Sequence, residues 1–323
     1  MQAPAVGLVA NPASGKDIRR VTARASVFDN QEKTAMVRRC LIGVRAMSDV
    51  PIRYLPDASR LVEAALDELG FDAEPLDIVP TRGAVDTTRA ACALRGATVV
   101  ITLGGDGTNR AFAKGWLDAP LIPLSTGTNN AFPMMREATT AGAAAGVLAS
   151  GDVPIEAVAG RSKVIHVEIQ DQPRDIALID AVLTKERFVG ARSLEDPARF
   201  VAAMLTRADP AGVGMTSVGG FVHPLSARED AVLKLEFEPG SSRVVHAALA
   251  PGRFERIGLA QIAAIPLGES MCLTGPGVLA LDGERERVLR KGQHALLTAH
   301  RDGPWVIDVS KVLRHASGCG RRA

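Results

Sequence analysis

The chain has 323 residues, 46% hydrophobic and 4% aromatic, and its 38 Lys and Arg nearly balance 36 Asp and Glu for a net charge of +2. That length suits two domains with a sizeable core, and the balanced charge excludes a polyanion-binding footprint. So few aromatic rings exclude a stacking platform for single-stranded nucleic acid, and no apolar stretch is long and uncharged enough to span a bilayer.

Residues 6–10, Val-Gly-Leu-Val-Ala, read as a buried strand. Residues 31–46 carry helical periodicity, with Met36, Val37, Cys40, Leu41 and Val44 on one side. A strand follows at 51–55, a helix at 59–69 with Gly70 as its stop, a strand at 76–79, and a helix at 84–94 with Gly96 behind it. Apolar runs at 99–103 and 121–125 each lead into a glycine-rich turn. This alternation predicts a Rossmann-like parallel sheet with helices on both faces, spanning residues 1–151. Ligands of such sheets sit at the carboxyl ends of the strands, where both glycine turns fall.

After a small-residue helix at 140–148 and a turn at Gly151-Asp152, strand-like runs dominate at 164–169, 176–184, 232–237, 244–249, 258–265 and 305–309. A helix is expected near 197–206, and the pairs Pro239-Gly240, Asp282-Gly283 and Asp302-Gly303 mark turns. Residues 152–323 thus predict a β-rich second domain, whose last strand could return to the first. The tail 319–323 reads as frayed. Cys40, Cys92, Cys272 and Cys319 form no Cys-x-x-Cys pair, so no zinc or disulfide framework is predicted. The amino terminus lacks the basic start of a signal peptide. A reducing, cytoplasmic setting is expected.

A near-repeat carries the functional signal. Residues 107–112 read Gly-Thr-Asn-Arg-Ala-Phe and residues 127–132 read Gly-Thr-Asn-Asn-Ala-Phe. A glycine turn between a buried strand and a helix offers backbone N–H groups beside a positive helix end, which suits phosphate. Gly104, Gly105, Gly107 and Thr108 make the first such turn, and Gly127 and Thr128 belong to the second. Asp106 lies within the first turn as a candidate reactive or metal-facing carboxylate, the alternative being an ordinary helix cap. Asn11, Ser14, Gly15 and Lys16 follow the first strand in a small loop that could cradle a triphosphate, although the Walker spacing is absent.

These three segments, in this order, resemble the NAD kinase and diacylglycerol kinase superfamily, most of all its ATP-NAD kinase-like branch associated with acetoin catabolism. Residues 11–16 resemble the family's nucleotide-phosphate loop, and Gly104 to Thr108 its diagnostic signature. Residues 127–132 resemble the Gly-Thr-Gly-Asn-Asp-Phe segment of its lipid kinases. Residues 177–182 resemble the segment where NAD kinases carry Asn-Asp or Asn-Glu, and Asp282-Gly283-Glu284 resembles a late segment shared by both branches. The resemblance implies a Rossmann-like domain, a β-sandwich domain, and a cleft between them. It implies transfer of the terminal phosphoryl of ATP, with Mg²⁺, to a hydroxyl such as the 2′-hydroxyl of NAD. Asp106 would be the base, Asn129 and Asn130 would bind substrate or nucleotide, and Asp180 and Glu284 would face the acceptor. A homo-oligomer is implied as well. The chain departs from the pattern at Ile179, where NAD kinases carry Asn, and at Asn130, where the lipid kinases carry Asp. It also lacks the Gly-Ser-Thr-Ala-Tyr segment, for which residues 215–221 are the nearest candidate by position.

Several features stay open on the residues alone. Asp180 in an apolar strand serves either a site or a structural pair with an Arg. Asp282-Gly283-Glu284 fits a plain hairpin as well as a cleft wall. His166 and Glu168 share a strand face but are too few for a metal site, so no metal ligands are assigned. His223 reads as a loop histidine, and Arg285, Arg287, Arg290 and Lys291 as a solvated edge. Residues 20–50 read as an insertion that covers the cleft or makes a subunit contact. A kinase of another hydroxylated metabolite or of a lipid, and a non-catalytic nucleotide-binding accessory protein of acetoin catabolism, are the competing readings.

Overall fold

Strands whose every residue is apolar demand cover on both faces, and the beginning of the chain supplies it. The computed structural model describes residues 3–15, 28–127, 129–151, 153–186 and 196–318. Five strands come first: β1 (Val6–Ala10), β2 (Ile52–Tyr54), β3 (Glu74–Pro75), β4 (Val99–Gly104) and β5 (Pro120–Ser125). Between and after them run α1 (Asn30–Met47), α2 (Leu61–Leu69), α3 (Ala84–Ala93), α4 (Asp106–Gly115), α5 (Ala138–Ala149) and the short α6 (Ile155–Val158). All residues of β1, β4 and β5 are buried, and the five strands pair in parallel in the order β3-β2-β1-β4-β5.

The strand expected at 76–79 is instead the two-residue β3 just before it. The Ile78 N–H donates to the Leu76 carbonyl at 2.7 Å, a tight turn that takes the chain off the sheet edge. Helix α1 is capped by Asp29, which accepts from the Glu32 N–H at 2.8 Å. It buries Met36, Val37, Cys40, Leu41 and Val44 in the sheet's core. The expectation of an insertion therefore fails for residues 30–47, which are core; residues 20–27 lie outside the described residues. Helices α1 and α5 touch backbone to backbone. A Cβ on Gly43 would lie 2.1 Å from the Thr139 carbonyl oxygen, and one on Gly142 2.1 Å from that of Cys40, so only glycine allows this approach.

The rest of the chain is mostly strand: β6 (Ala159–Arg161), β7 (Val164–Ile169), β8 (Asp175–Ala177), β9 (Asp180–Thr184), β10 (Phe200–Leu205), β11 (Ala231–Phe237), β12 (Val244–Ala250) and β13 (Arg253–Pro266). It continues through β14 (Ser270–Thr274), β15 (Gly277–Leu281), β16 (Glu284–Leu289), β17 (His294–His300) and β18 (Trp305–Ile307). Helix α7 (Met215–Val222) interrupts the series and α8 (Val309–Gly318) follows it. A seven-stranded antiparallel sheet, β12-β13-β11-β10-β9-β15-β16, faces a four-stranded one, β14-β17-β7-β8. Val167, Leu183, Met204, Leu279 and Leu297 fill the space between them, while α7 covers the other face of the larger sheet through Met215 and Val218. Strand β14 alternates buried and exposed residues along its whole length, as a strand with one solvated face must. The fold is thus α/β, with a parallel-sheet N-terminal domain and an antiparallel β-rich C-terminal region. Strand β18 crosses back, lying parallel to β5 and antiparallel to β6.

Two expectations are corrected here. The helix near 197–206 is a single 3-10 turn at Pro197–Arg199 followed by strand β10. Its Ala and Met content favours helix locally, but the segment is buried on both sides. Ala202 and Met204 enter the sandwich core, and Phe200, Ala203 and Leu205 pack under α7. The single strand expected at 176–184 is broken in two, because the chain passes from the smaller sheet to the larger at Leu178-Ile179.

Candidate active site

Three loops leave the carboxyl edge of the parallel sheet side by side, and polar side chains lace them together. Asn11, after β1, accepts from the Ala13 N–H at 2.9 Å and donates through Nδ2 to Thr108 Oγ1 at 2.8 Å. Ser14 Oγ donates to the Asn11 carbonyl at 2.7 Å and lies 2.8 Å from Thr126 Oγ1. Gly15 ends the described part of this loop with φ at +73°. Lys16 and Thr128 lie outside the described residues. A residue that pattern reading did not single out sits beneath the loop: Lys33 on α1 is fully buried, and its Nζ donates to the Pro12 carbonyl at 2.7 Å.

The second loop runs from Gly104, the last residue of β4, through Gly105 at the cap position of α4. Asp106, the first residue of that helix, does not cap it. Its carboxylate instead accepts from the Ala131 N–H at 3.0 Å and the Phe132 N–H at 2.7 Å, both in the third loop. Within that third loop Asn130 Nδ2 donates to Ser125 Oγ at 2.7 Å and to the Gly127 carbonyl at 3.3 Å. Asn130 thus shapes its own loop, whereas Asn129 lines the cleft beside it.

The opposite wall comes from the C-terminal region. Where the chain crosses between sheets, the N–H groups of Leu178, Ile179 and Asp180 all point at Asp282, which accepts them at 2.7–3.2 Å. Asp282 and Gly283 form a tight turn with φ of +50° and +78°. Glu284, just after it, reaches over the start of α4, so that a Cβ on Gly107 would lie 2.9 Å from Glu284 Oε1. Between the walls lies a cleft of about 1220 Å³, bordered by Asn11, Asp106, Asn129, Asp180, Asp282 and Glu284 among others.

Three carboxyl groups border the cleft, Asp106 from the parallel-sheet side and Asp180 and Asp282 from the opposite wall. Burial pushes the Asp282 carboxyl up to about 6, against the pull of Arg110 and of the N–H groups of Leu178 and Ile179. Burial also raises Asp106, and the Phe132 and Ala131 N–H groups work the other way. Asp180 is raised well above the ordinary carboxylate value, by burial and by the neighbouring Asp282 and Asp106, while the Gly283 N–H works the other way. Only 7% of Asp180 is exposed, and its Oδ1 meets no donor among the described residues. Arg207 lies near Asp106 and Asp282; its Nη1 donates to the Ala131 carbonyl at 2.8 Å and its guanidinium lies over the Phe132 ring.

A second buried cluster ties the walls together behind the cleft. Arg110 of α4 donates through Nη2 to Asp175 Oδ1 at 2.8 Å, and Arg287 of β16 through Nε to Oδ2 at 3.0 Å. Lys114 Nζ lies 3.1 Å from Asp175 Oδ1. Burial would raise the Asp175 carboxyl, but Arg110 and Arg287 with their neighbours hold it down at about 2. Arg287, expected on a solvated edge, therefore turns inward. His166 pairs with Asp302 at 2.9 Å and Glu168 with Arg174, away from the cleft. No group of three His, Cys, Asp or Glu side chains among the described residues is arranged to hold a metal ion, and no described helix is long and apolar enough to cross a membrane.

Comparison with known proteins shows what the chain is similar to. Residues 6–153 match the model of the ATP-NAD kinase N-terminal domain, and residues 163–302 that of the acetoin catabolism protein X C-terminal domain. The acetoin catabolism protein X of Cupriavidus necator is 35% identical over 332 aligned positions, covering 97% of this chain and 92% of that protein. The crystal structure of yeast NADH kinase complexed with NADH superposes over 99% of this chain and 89% of its own, with a TM-score of 0.51 and 14% identity, a likeness of fold.

Proposed function

Because this chain belongs to the acetoin catabolism protein X family of NAD kinase-like proteins, we propose that it is an ATP-dependent kinase. It would transfer a phosphoryl group to a hydroxyl of a nucleotide-like small molecule, the 2′-hydroxyl of NAD being the first acceptor to test. The observation that carries this reading is the pairing of walls. Three laced loops at the carboxyl edge of a parallel sheet, one of them bearing Asp106, face Asp180, Asp282 and Glu284 across one cleft. Phosphoryl transfer asks mainly for positioning and for relief of charge. The amino end of α4 and the loops at Asn11–Gly15 and Gly104–Thr108 would receive the donor's phosphates. Lys33 supports this by drawing the Pro12 carbonyl down into the protein, away from an anion seated above.

Mg²⁺ would arrive with the triphosphate, held by its oxygens and by Glu284, a hard donor lying over the start of α4. Bound there, it would neutralise charge building on the phosphates. On the acceptor side, Ile179 offers an apolar contact where NAD kinases offer Asn, and residues 215–222 form helix α7 rather than a tyrosine-bearing loop. These two features favour, as a second reading, a hydroxylated metabolite other than NAD. An accessory protein that binds nucleotide without turnover is the reading from outside enzymology.

The test is a transfer assay with purified protein, Mg²⁺ and terminally labelled ATP against NAD, NADH and a panel of hydroxylated metabolites. Label in NADP or NADPH establishes the first reading, and label in another product establishes the second. Binding of ATP or NAD by calorimetry without transfer to any acceptor removes both and leaves the accessory reading.

A further inference from the structure

We propose that Arg207, from the C-terminal region, is a positioning residue for phosphoryl transfer: it aims the Asp106 carboxylate by gripping the far end of one peptide unit in the third loop. The proposal rests on the kinase reading, in which Asp106 meets the acceptor hydroxyl. Asp106 borders the cleft, whereas Arg207 reaches it only through that loop.

The peptide unit between Ala131 and Phe132 is held at both ends. Its N–H donates to Asp106 Oδ1 at 2.7 Å, and its carbonyl oxygen accepts from Arg207 Nη1 at 2.8 Å. A peptide unit is planar, so fixing both ends fixes its plane, and with it the direction from which Asp106 is held. A cation on the oxygen also polarises the amide and strengthens its N–H as a donor. The charge of Arg207 thus reaches the Asp106 carboxylate through two hydrogen bonds. Burial works against the Asp106 anion, while the Phe132 and Ala131 N–H groups and Arg207 work for it. Of the two carboxylate oxygens, Oδ1 takes both N–H groups and Oδ2 shares only that of Ala131, at 3.0 Å. Oδ2 therefore keeps the greater capacity to accept from a hydroxyl.

The backbone on either side of Arg207 is pinned. The Thr206 N–H donates to the Ile179 carbonyl at 2.8 Å and its Oγ1 to the Leu178 carbonyl at 2.7 Å. Ala208 and Leu225 exchange both of their backbone bonds at 2.9 Å. Arg207 is thereby tied to the same crossing segment whose N–H groups Asp282 collects. Its guanidinium lies 5.7 Å from the centre of the Phe132 ring, a further hold on the loop. Stability alone does not call for an arginine here. Its Nε is buried with no acceptor among the described residues, and an unpaired buried donor costs free energy. Its Nη1 goes to a loop carbonyl although two carboxyl groups, Asp106 and Asp282, lie near.

The experiment compares wild type with Arg207→Met, Arg207→Lys and Arg207→Gln, using whichever acceptor wild type phosphorylates. The readouts are kcat, the KM for ATP, melting temperature, and hydrogen exchange at the Ala131 and Phe132 amides. The phosphate loops are laced to one another without Arg207, so ATP binding should not depend on it. Arg207→Met is expected to lower kcat by about tenfold or more while leaving the KM for ATP within about twofold, and to speed exchange of both amides. Arg207→Lys keeps the charge and a donor and is expected to recover most of the loss. Arg207→Gln keeps a donor without the charge and is expected to recover little of it. An Arg207→Met protein that keeps more than about a third of wild-type kcat overturns the proposal. So does a KM for ATP that rises as steeply as kcat falls, the mark of a cleft loosened throughout. Unchanged exchange at Ala131 and Phe132 in Arg207→Met overturns it too, as does Arg207→Gln being as active as Arg207→Lys. Each of these leaves the kinase reading standing. If Arg207→Met does not fold, Arg207→Lys and Arg207→Gln decide by the same comparison. A wild type inert toward every acceptor overturns the kinase reading and this assignment with it.

Discussion

The two walls of the cleft are built on different principles. The parallel-sheet side is made of three separate loops laced by side chains: Asn11 bonds Thr108, Ser14 lies against Thr126, and Asn130 holds Ser125. The antiparallel side is made of a long-range contact, in which Asp282 gathers the N–H groups of residues about a hundred positions earlier. The first wall presents hydrogen-bond donors and a helix amino end, and the second presents carboxyl groups. On the kinase reading, the first wall receives the anionic phosphates and the second faces the acceptor. The working geometry of the cleft then depends on what holds the walls in register.

Asp175 is the place where that register can be broken. Its side chain is 1% exposed and takes Arg110 from one wall and Arg287 from the other. Asp175→Ala would leave both guanidinium groups short of their shared partner, and a loss of about 3–5 kcal/mol is expected, read as a lower urea midpoint. If the walls are independent, the loss will appear without any change in nucleotide affinity. If Asp175 sets their register, ATP and acceptor will both bind more weakly.

A smaller effect sharpens the electrostatic half of the contrast. Asp282 has its carboxyl raised to about 6 in the folded protein and Asp180 is also raised well above the ordinary value of 3.8. The folded state therefore binds more protons than the unfolded chain above about pH 4. The stability that these two carboxyls contribute is fully present below that point and is lost as the pH climbs through 6 and beyond. Asp180→Asn removes part of this loss. Its melting temperature should exceed that of wild type at pH 8, with the gap closing toward pH 4. A gap that stays constant across this range would show that Asp180 carries no unusual proton.

The smallest expected effect lies under the phosphate loop. Lys33→Met keeps the packing volume but removes the bond to the Pro12 carbonyl. About 1 kcal/mol is expected, seen as several-fold weaker ATP binding by calorimetry with acceptor binding unchanged. Weakening of both ligands would mean that α1 supports the whole cleft rather than one wall.

The reach of each interaction explains what could be read from the sequence. The strands and glycine turns around Gly104–Thr108 and Gly127 follow local rules, so their positions and order were legible before any coordinates. So was helix α1, from its periodicity, although its role as core rather than insertion was not. Asp282 was hidden because Asp-Gly is an ordinary hairpin pair, and nothing local tells that its carboxylate will collect three N–H groups from residues 178–180. Arg207 and Arg287 were hidden for a related reason, since a lone arginine's partner is set by tertiary packing. Segment 200–205 was misread as helix because alanine and methionine report propensity, whereas burial between two layers decided the outcome. A period-2 signal was missing there because both faces of the strand are covered.

Strand β18 gives the molecule an order of assembly. Strand β5 ends at Ser125, yet the neighbour that covers its outer edge begins only at Trp305. While the polypeptide is being made, the parallel sheet must wait with one row of backbone groups bare until the whole sandwich has emerged. The N-terminal half is in that sense a lock whose bolt is cut last. A fragment ending at Val158 would carry the bare edge into solution, and sedimentation should show its mass rising with concentration more steeply than that of the full chain.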